Sequence, residues 1–291
     1  MSRERLRLAL QKSGRLADSS LELLRSAGFT VIKGANELLY RIDNAPIDVL
    51  RVRDDDIPTL VADGVADLGI VGLNVLEERE AGARAPREVM RLGFGRCALK
   101  LAVPEKAAYG GAYSLDGVRI ATSYPHILSR FLEQNGVSAE IVTMHGAVEV
   151  APRLGLAQVV CDLVSTGATL EANGLSAVET VMESEAVLIQ TPKSIAADLQ
   201  ADAERFIARV RGVTASRGAK YVMMNAPRAA LPAISAILPG AGAPTVTPLA
   251  GDADAVAVHA VCQESVFWET LEKLKSAGAS AILVLSIEKM M

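Results

Sequence analysis

The run Val159-Val160-Cys161-Asp162-Leu163-Val164-Ser165-Thr166-Gly167-Ala168-Thr169-Leu170 constrains this chain more than any other stretch. Its apolar, β-branched first part reads as a buried strand, and the strand ends in an acidic residue, Asp162. A loop of small hydroxylic residues and glycine follows, and Thr169-Leu170-Glu171-Ala172-Asn173-Gly174 reads as a helix start. Only residues this small let backbone N–H groups close around a phosphate, with the hydroxyls and the helix dipole adding to them. A carboxylate just before such a loop does not suit the phosphate; it suits sugar hydroxyls or a bound Mg²⁺. The run therefore asks for a ligand carrying both phosphate and ribose. The plain alternative is an ordinary strand–turn–helix corner. It is not a Walker A loop, because no G-x-x-x-x-G-K-S/T occurs here.

With 291 residues, 50% of them hydrophobic, the chain can form two or three domains with sizeable cores. Aromatics are only 4%, while alanine, valine and leucine dominate, which favours helix-packed α/β layers over an all-β sandwich. A net charge of −4 and a pI near 5.6 argue against a nucleic-acid surface. Positive charge for a polyanionic ligand must then be local. Met1-Ser2-Arg3-Glu4-Arg5 leads straight into a strand-like Leu6–Leu10, with no secretory h-region, and no stretch has the unbroken apolar length of a membrane helix. Cys97, Cys161 and Cys262 are far apart and odd in number, as expected of thiols in a reducing cytoplasm. Neither they nor His126, His145 and His259 have zinc-ligand spacing. There is also no Cys–His or G-x-S-x-G nucleophile signature.

Strands and helices alternate through the first hundred residues: strand Leu6–Leu10, helix Leu16–Ala27, strand Ile47–Val52, helix Asp56–Val65 and strand Asp67–Val71. Such a βαβ pattern implies a parallel sheet. A second series follows, with strand Arg119–Tyr124, a helix opened by Pro125, strand Glu140–Met144 and a shorter helix over Ala147–Ala157, broken around Pro152, leading to the strand of the opening run. Asp67–Gly72 and Asp162–Gly167 both read D-L-x-x-x-G, an echo expected of two similar lobes facing one cleft. A helix over Ile195–Val213 precedes a boundary at Ala215–Gly218. Strand Lys220–Met224, helix Arg228–Leu238 capped by Pro239-Gly240, strands Thr245–Leu249 and Ala255–Val261, helix Val266–Ala277 and strand Ala281–Ile287 then give β-α-β-β-α-β, the ferredoxin-like order. That unit carries no charged constellation, so regulation or dimerisation is expected of it rather than catalysis.

Other loops carry candidate ligands. Lys12 and Arg15 flank Ser13-Gly14 between the first strand and helix, a setting that suits phosphate. Arg51 and Arg53 share a face by period-two alternation and can clamp phosphate oxygens. Of the aspartates that follow, one caps the next helix and only Asp54 or Asp55 is expected to be functional. Tyr124 offers a ring to a base, and Glu149 an acceptor to a base or sugar. Each has a plain structural alternative.

These motifs resemble, in order and over essentially the whole chain, the long-form ATP phosphoribosyltransferases of histidine biosynthesis. The resemblance rests on Gln11–Leu16, Arg51–Asp56, Asp67–Asn74, Thr122–His126, Glu149–Arg153, Cys161–Gly174 and Ala281–Met290. Arg96 is a local departure, where a small residue is expected. The resemblance implies an α/β fold: two lobes of the type II periplasmic-binding-protein kind, plus a C-terminal ferredoxin-like, ACT-like domain. The expected division is 1–100 with 186–217 as catalytic lobe I, 101–185 as lobe II, and 218–291 as the regulatory domain. It further implies transfer of phosphoribosyl from phosphoribosyl pyrophosphate to N1 of ATP, Mg²⁺ as cofactor, histidine as feedback inhibitor, and a homo-oligomer (dimer and hexamer) without a separate regulatory subunit.

In that picture Asp162 meets the ribose, and Ser165, Thr166, Gly167, Ala168 and Thr169 hold the 5′-phosphate. Lys12, Arg15, Arg51 and Arg53 face the ATP phosphates or pyrophosphate, and Gly14, Asp54, Gly72, Tyr124 and Glu149 belong to the ATP site. Asn225, Thr245, Leu249 and Ala281 are the expected histidine contacts; the metal ligands are not assigned. A non-catalytic receptor with the same lobes and an oligomeric interaction protein are the competing classes. The phosphate-shaped loop and the absence of a signal sequence weigh against the first, and charged loops recurring at strand ends weigh against the second.

Overall fold

The computed structural model describes residues 4–34, 38–79, 85–238 and 243–290. It divides into two compact units, residues 1–205 and 206–291, and the division falls within a helix, Ala197–Ala215.

The first unit holds two sheets. Strands β1 (Leu6–Gln11), β2 (Val31–Lys33), β3 (Leu39–Ile42), β4 (Ile47–Val52), β5 (Leu68–Gly72), β6 (Arg87–Arg91) and β12 (Ala186–Gln190) form one, in the order β2-β3-β4-β1-β5-β12-β6. Strands β7 (Cys97–Pro104), β8 (Arg119–Thr122), β9 (Glu140–Thr143), β10 (Val159–Val164) and β11 (Leu175–Ser184) form the other, in the order β11-β7-β10-β8-β9. Helices α1 (Arg15–Ser26), α2 (Ile57–Ala62) and α3 (Leu73–Glu78) belong with the first sheet, and α4 (Pro125–Gln134) and α5 (Ala168–Ala172) with the second. The chain crosses between sheets twice, from β6 to β7 and from β11 to β12, which gives the expected two-lobed α/β arrangement.

The first sheet is parallel only at its centre, and the second from β10 through β8 to its edge strand β9. β1 runs parallel to β4 and β5, and β10 and β9 run parallel to β8. β12 is antiparallel to β5, and β7 antiparallel to β10, because the crossing strands return in the opposite sense. Leu6, Leu8 and Leu10 on one face of β1 and Ala9 on the other are enclosed, as a strand covered on both faces requires. α2 lies so close on β5 that a Cβ at Gly69 would stand 2.8 Å from Ile57 and 3.0 Å from Val61.

Three expectations are corrected. The helix over Ala147–Ala157 is absent: Val148–Val150 makes a single 3-10 turn, because Ala147 and Gly155 take left-handed backbone and Pro152 lacks the N–H a helix needs. The helix over Asp56–Val65 is a 3-10 turn, Asp54–Asp56, followed by α2. The D-L-x-x-x-G echo does not survive register. Asp67 precedes β5 and accepts the Arg7 N–H at 2.8 Å, whereas Asp162 lies inside β10, which continues to Val164.

The second unit contains the rest of α6 (Ala197–Ala215), then β13 (Ala219–Pro227), α7 (Leu231–Ile237), β14 (Thr245–Leu249), β15 (Asp252–Gln263), α8 (Glu264–Ser276) and β16 (Ser280–Ser286). Its antiparallel order β14-β15-β13-β16 is the ferredoxin-like one. Val222, Met224, Val256 and Val258 pack with Ile234 and Phe267 of the helices. The alternate residues Tyr221, Met223 and Asn225 therefore lie on the other face. Pro239-Gly240, expected to cap α7, lies outside the described residues. Among the described residues no helix is long and apolar enough to cross a membrane.

Candidate active site

β10 delivers the chain to Ser165-Thr166-Gly167, from which α5 starts. Gly167 has φ 87°, and a Cβ there would meet nothing closer than Glu171 at 3.8 Å. Its conformation, not lack of space, calls for glycine. Ser165, Thr166, Ala168 and Thr169 are exposed, and no side chain caps α5. Because α5 has only five residues, its dipole adds little. The anion-binding capacity rests on the loop's own N–H and hydroxyl donors.

The loop borders a cavity of about 600 Å³ that is also lined by Arg96, Lys100 and Glu183. From the first lobe Arg15, the first residue of α1, donates from Nη2 to Ser165 Oγ at 3.2 Å. Three cations thus gather at the loop. Sequence reasoning assigned only Arg15 and treated Arg96 as a minor departure. Lys100 escaped notice, yet it is the sole charge in the strand CALKLAVP, and register sets it directly across from Asp162.

Asp162 is half-buried, and its carboxylate accepts the Leu163 N–H at 2.8 Å. Burial pushes its pKa up, the nearby Glu149 charge adds to the rise, and the Leu163 N–H opposes it. Glu149, in the first turn of the 3-10 element Val148–Val150, is near enough for its charge to act on Asp162.

Lys12, Gly14 and Arg51 meet at the β1–α1 loop. Gly14 starts α1 with φ 95°, and the Lys12 side chain is exposed. Arg51 stacks on Tyr40, 4.6 Å from the ring centroid, and its guanidinium donates to the Tyr40 hydroxyl and the Lys12 carbonyl. Sequence reasoning made Arg51 a ligand; the structure engages it as a brace that shapes the loop. Arg53 lies past the end of β4, so period-two alternation does not pair it with Arg51. Its charge instead opposes the rise that burial and the Asp54 and Asp56 charges produce in the Asp55 pKa.

A second cavity, about 520 Å³, is lined by Asp54, Asp55, Glu78, Ser123, Tyr124 and His145. Tyr124 precedes α4 and is partly buried, and burial raises its phenol pKa. Its hydroxyl accepts a bond from Asn74 Nδ2 at 3.0 Å. Gly72 precedes α3, and a Cβ there would stand 2.5 Å from Asn74 Oδ1. Among the described residues no three His, Cys, Asp or Glu side chains stand together to hold a metal.

In the second unit the four expected inhibitor contacts are spread over the sheet of one chain, with Asn225 opposite Ser280, the neighbour of Ala281. Thr245 lines a cavity of about 390 Å³ with Tyr221, Thr247 and His259, and the Tyr221 hydroxyl and His259 Nδ1 are 2.7 Å apart. Asn225 pairs with Ala257 on β15, and Leu249 ends β14. Ala281, with φ 49°, lines a different cavity beside Trp268.

In comparisons with solved structures, the chain is 26% identical to the ATP phosphoribosyl transferase (HisG:HisZ) complex of Thermotoga maritima, with a TM-score of 0.58. That match covers 71% of this chain and 96% of the other. The GluR0 ligand-binding core in complex with L-glutamate matches at 14% identity and a TM-score of 0.50, covering 73% of this chain and 93% of that one, a likeness of fold alone. The family described as "HisG: ATP phosphoribosyltransferase" matches residues 53–212, and "HisG, C-terminal domain" matches 216–289. The chain belongs to the HisG family of ATP phosphoribosyltransferases, transferases of histidine biosynthesis.

Proposed function

We propose that the chain transfers the phosphoribosyl group of phosphoribosyl pyrophosphate to N1 of ATP. The observation that carries this reading is the convergence of Arg15, Arg96 and Lys100 on the exposed Ser165–Thr169 loop. In the reaction the N1 lone pair forms a bond to the anomeric carbon as the bond to pyrophosphate breaks, and pyrophosphate leaves with that electron pair. N1 needs no activated side-chain nucleophile, so the residues' task is to place two polyanions together and stabilise the leaving group. Loop amides and hydroxyls hold the 5′-phosphate, Asp162 with Glu149 takes the ribose hydroxyls, and Arg15, Arg96 and Lys100 neutralise phosphate charge. Lys12, Gly14, Arg53, Asp54, Gly72 and Tyr124 are assigned to ATP and its phosphates, with Arg51 bracing that loop.

Mg²⁺ in this reading travels with the substrate's phosphates and takes at most one or two carboxylates. The donor set offers that mode the Asp162 carboxylate, in the strand that runs into the loop, with the Glu149 charge acting on it. When bound, the ion supplies charge neutralisation on the departing pyrophosphate.

The division into lobe I (1–100 and 186–217), lobe II (101–185) and a regulatory domain (218–291) is kept as part of the proposal. The three sheets support it in outline, with two shifts: β7 (Cys97–Pro104) lies wholly in the second lobe's sheet, and residues 206–217 group with the second unit. Histidine inhibition is assigned to the second unit, with Thr245, Tyr221 and His259 around one cavity as support. The Thermotoga maritima protein is described in complex with HisZ. A homo-oligomer, dimer or hexamer, working in the cytoplasm completes the proposal, and the C-terminal domain match at 216–289 is what speaks for its needing no such subunit.

The test is Thr166→Ala and Asp162→Ala. Both should lose turnover while the circular-dichroism spectrum stays that of the parent; full activity in either refutes the loop assignment.

A further inference from the structure

Asn74 and Ser184 are buried polar residues, 5% and 6% exposed, that no substrate assignment uses. The Asn74 backbone N–H donates to Ser184 Oγ at 3.0 Å. A peptide N–H can only donate, so the serine hydrogen goes elsewhere; its neighbours are the Cys97 thiol, a weak acceptor, and Asn74 Oδ1 at 2.8 Å, the stronger one, which takes it. That contact fixes which way the carboxamide faces: oxygen toward Ser184, NH₂ away from it. The NH₂ group, again only a donor, stands 3.0 Å from the Tyr124 hydroxyl. The phenol oxygen must accept, and its own proton is turned away from Asn74. Among the described residues no hydrogen bond takes that proton, and Tyr124 lines the cavity shared with Asp54, Ser123 and His145. Gly72 belongs to the same device, since any side chain there would strike Asn74 Oδ1.

We propose that Asn74, oriented by Ser184, is a positioning residue that makes the Tyr124 hydroxyl an obligate hydrogen-bond donor to the nucleotide in this cleft. A free tyrosine can donate or accept; one set this way selects a ligand atom with a lone pair, such as a ring nitrogen of the base or a sugar oxygen, over an exocyclic amine. The inference rests on the phosphoribosyl-transfer reading for the identity of the nucleotide, not for the polarity of the relay.

Asn74→Asp tests it. The carboxylate keeps the shape, accepts from Ser184, and also draws the Tyr124 proton to itself, so the nucleotide loses its donor. Loss of one such bond corresponds to about a five- to tenfold rise in KM for ATP, with kcat changed less. The decisive measurement is a double-mutant cycle with Tyr124→Phe: without the phenol, Asn74→Asp should change KM for ATP by less than about twofold. Effects that multiply, or an unchanged KM in the single variant, overturn the proposal. If Asn74→Asp does not fold, Ser184→Ala releases the carboxamide and should raise KM only when Tyr124 is present. The same cycle read as ATP Kd by calorimetry separates the two ideas. Coupling in Kd with no turnover in the parent protein overturns the reaction and keeps the relay; turnover without coupling overturns the relay and keeps the reaction.

Discussion

Glu78 supplies a helix cap from another lobe. It is the last residue of α3, and its two carboxylate oxygens accept the His126 and Ile127 N–H groups at 2.9 and 3.1 Å. α4 has no side-chain cap of its own, and Pro125 occupies its first turn. Removing the carboxylate in Glu78→Ala leaves two N–H groups without that partner and takes a negative charge from the positive end of α4. Loss of a cap costs about 0.5–2 kcal/mol, and loss of a charge at a helix N-terminus about 0.3–1 kcal/mol. The two overlap, because one group does both, so about 1–2 kcal/mol is expected. At about 2–4 °C per kcal/mol for a unit of this size, the midpoint falls by about 2–8 °C. Glu78→Gln keeps one oxygen, recovers at most one of the two bonds and should melt between the parent and Glu78→Ala. Glu77→Ala is the control: its pair with Arg130 at 3.0 Å is exposed on both sides and contributes about 0–1 kcal/mol. A Glu78→Ala protein that melts with the parent, or that melts above Glu77→Ala, refutes the reasoning.

Three further outcomes follow from the same geometry. Gly69→Ala pushes a methyl between Ile57, Val61 and Ile189 and should destabilise by about 1–3 kcal/mol in denaturant unfolding; no loss would mean that α2 can lift off β5. Asp162 has a folded pKa raised above its ordinary value of 3.8, so its favourable contribution is complete below that value and is lost as pH rises through the folded pKa. Asp162→Asn should therefore match the parent's stability in acid and exceed it increasingly toward neutral pH; a gap independent of pH between about 4 and 8 contradicts this. Cys97 lines the loop cavity while Cys161 and Cys262 are buried, so iodoacetamide should label Cys97 first. Burial pushes the Cys97 thiol up, so labelling should be slow at neutral pH. Phosphoribosyl pyrophosphate should slow it further, and undiminished labelling at saturating ligand would remove the ligand from that cavity.

Local chemistry was readable in the chain where it is written locally. The β-branched run Val159–Val164 and the small residues after it specify strand and loop by themselves, and the ferredoxin-like unit follows from its alternation of periods. Reading failed where geometry is non-local. Lys100 joins the site because β7 runs antiparallel to β10, a register that only the folded sheet supplies. Arg51 meets Tyr40 because β3 folds back on β4, a bracing contact that the local sequence does not show. The stretch after Ala147 looks helical by composition, but two left-handed residues and Pro152 hold it to one 3-10 turn, which carries Glu149, whose charge reaches Asp162. Asp67 and Asp162 share a motif and not a role, because one begins its strand's approach and the other sits within its strand.

The central claim is tested most directly by pyrophosphate release from the purified protein given ATP, phosphoribosyl pyrophosphate and Mg²⁺, with a pyrophosphatase drawing the reaction forward and with histidine added in a parallel series. Release that requires both substrates and is suppressed by histidine is the predicted result. Release indifferent to histidine removes the inhibitor reading of the second unit and leaves the transferase. No release from folded protein that still binds phosphoribosyl pyrophosphate contradicts the account and makes the two lobes a receptor.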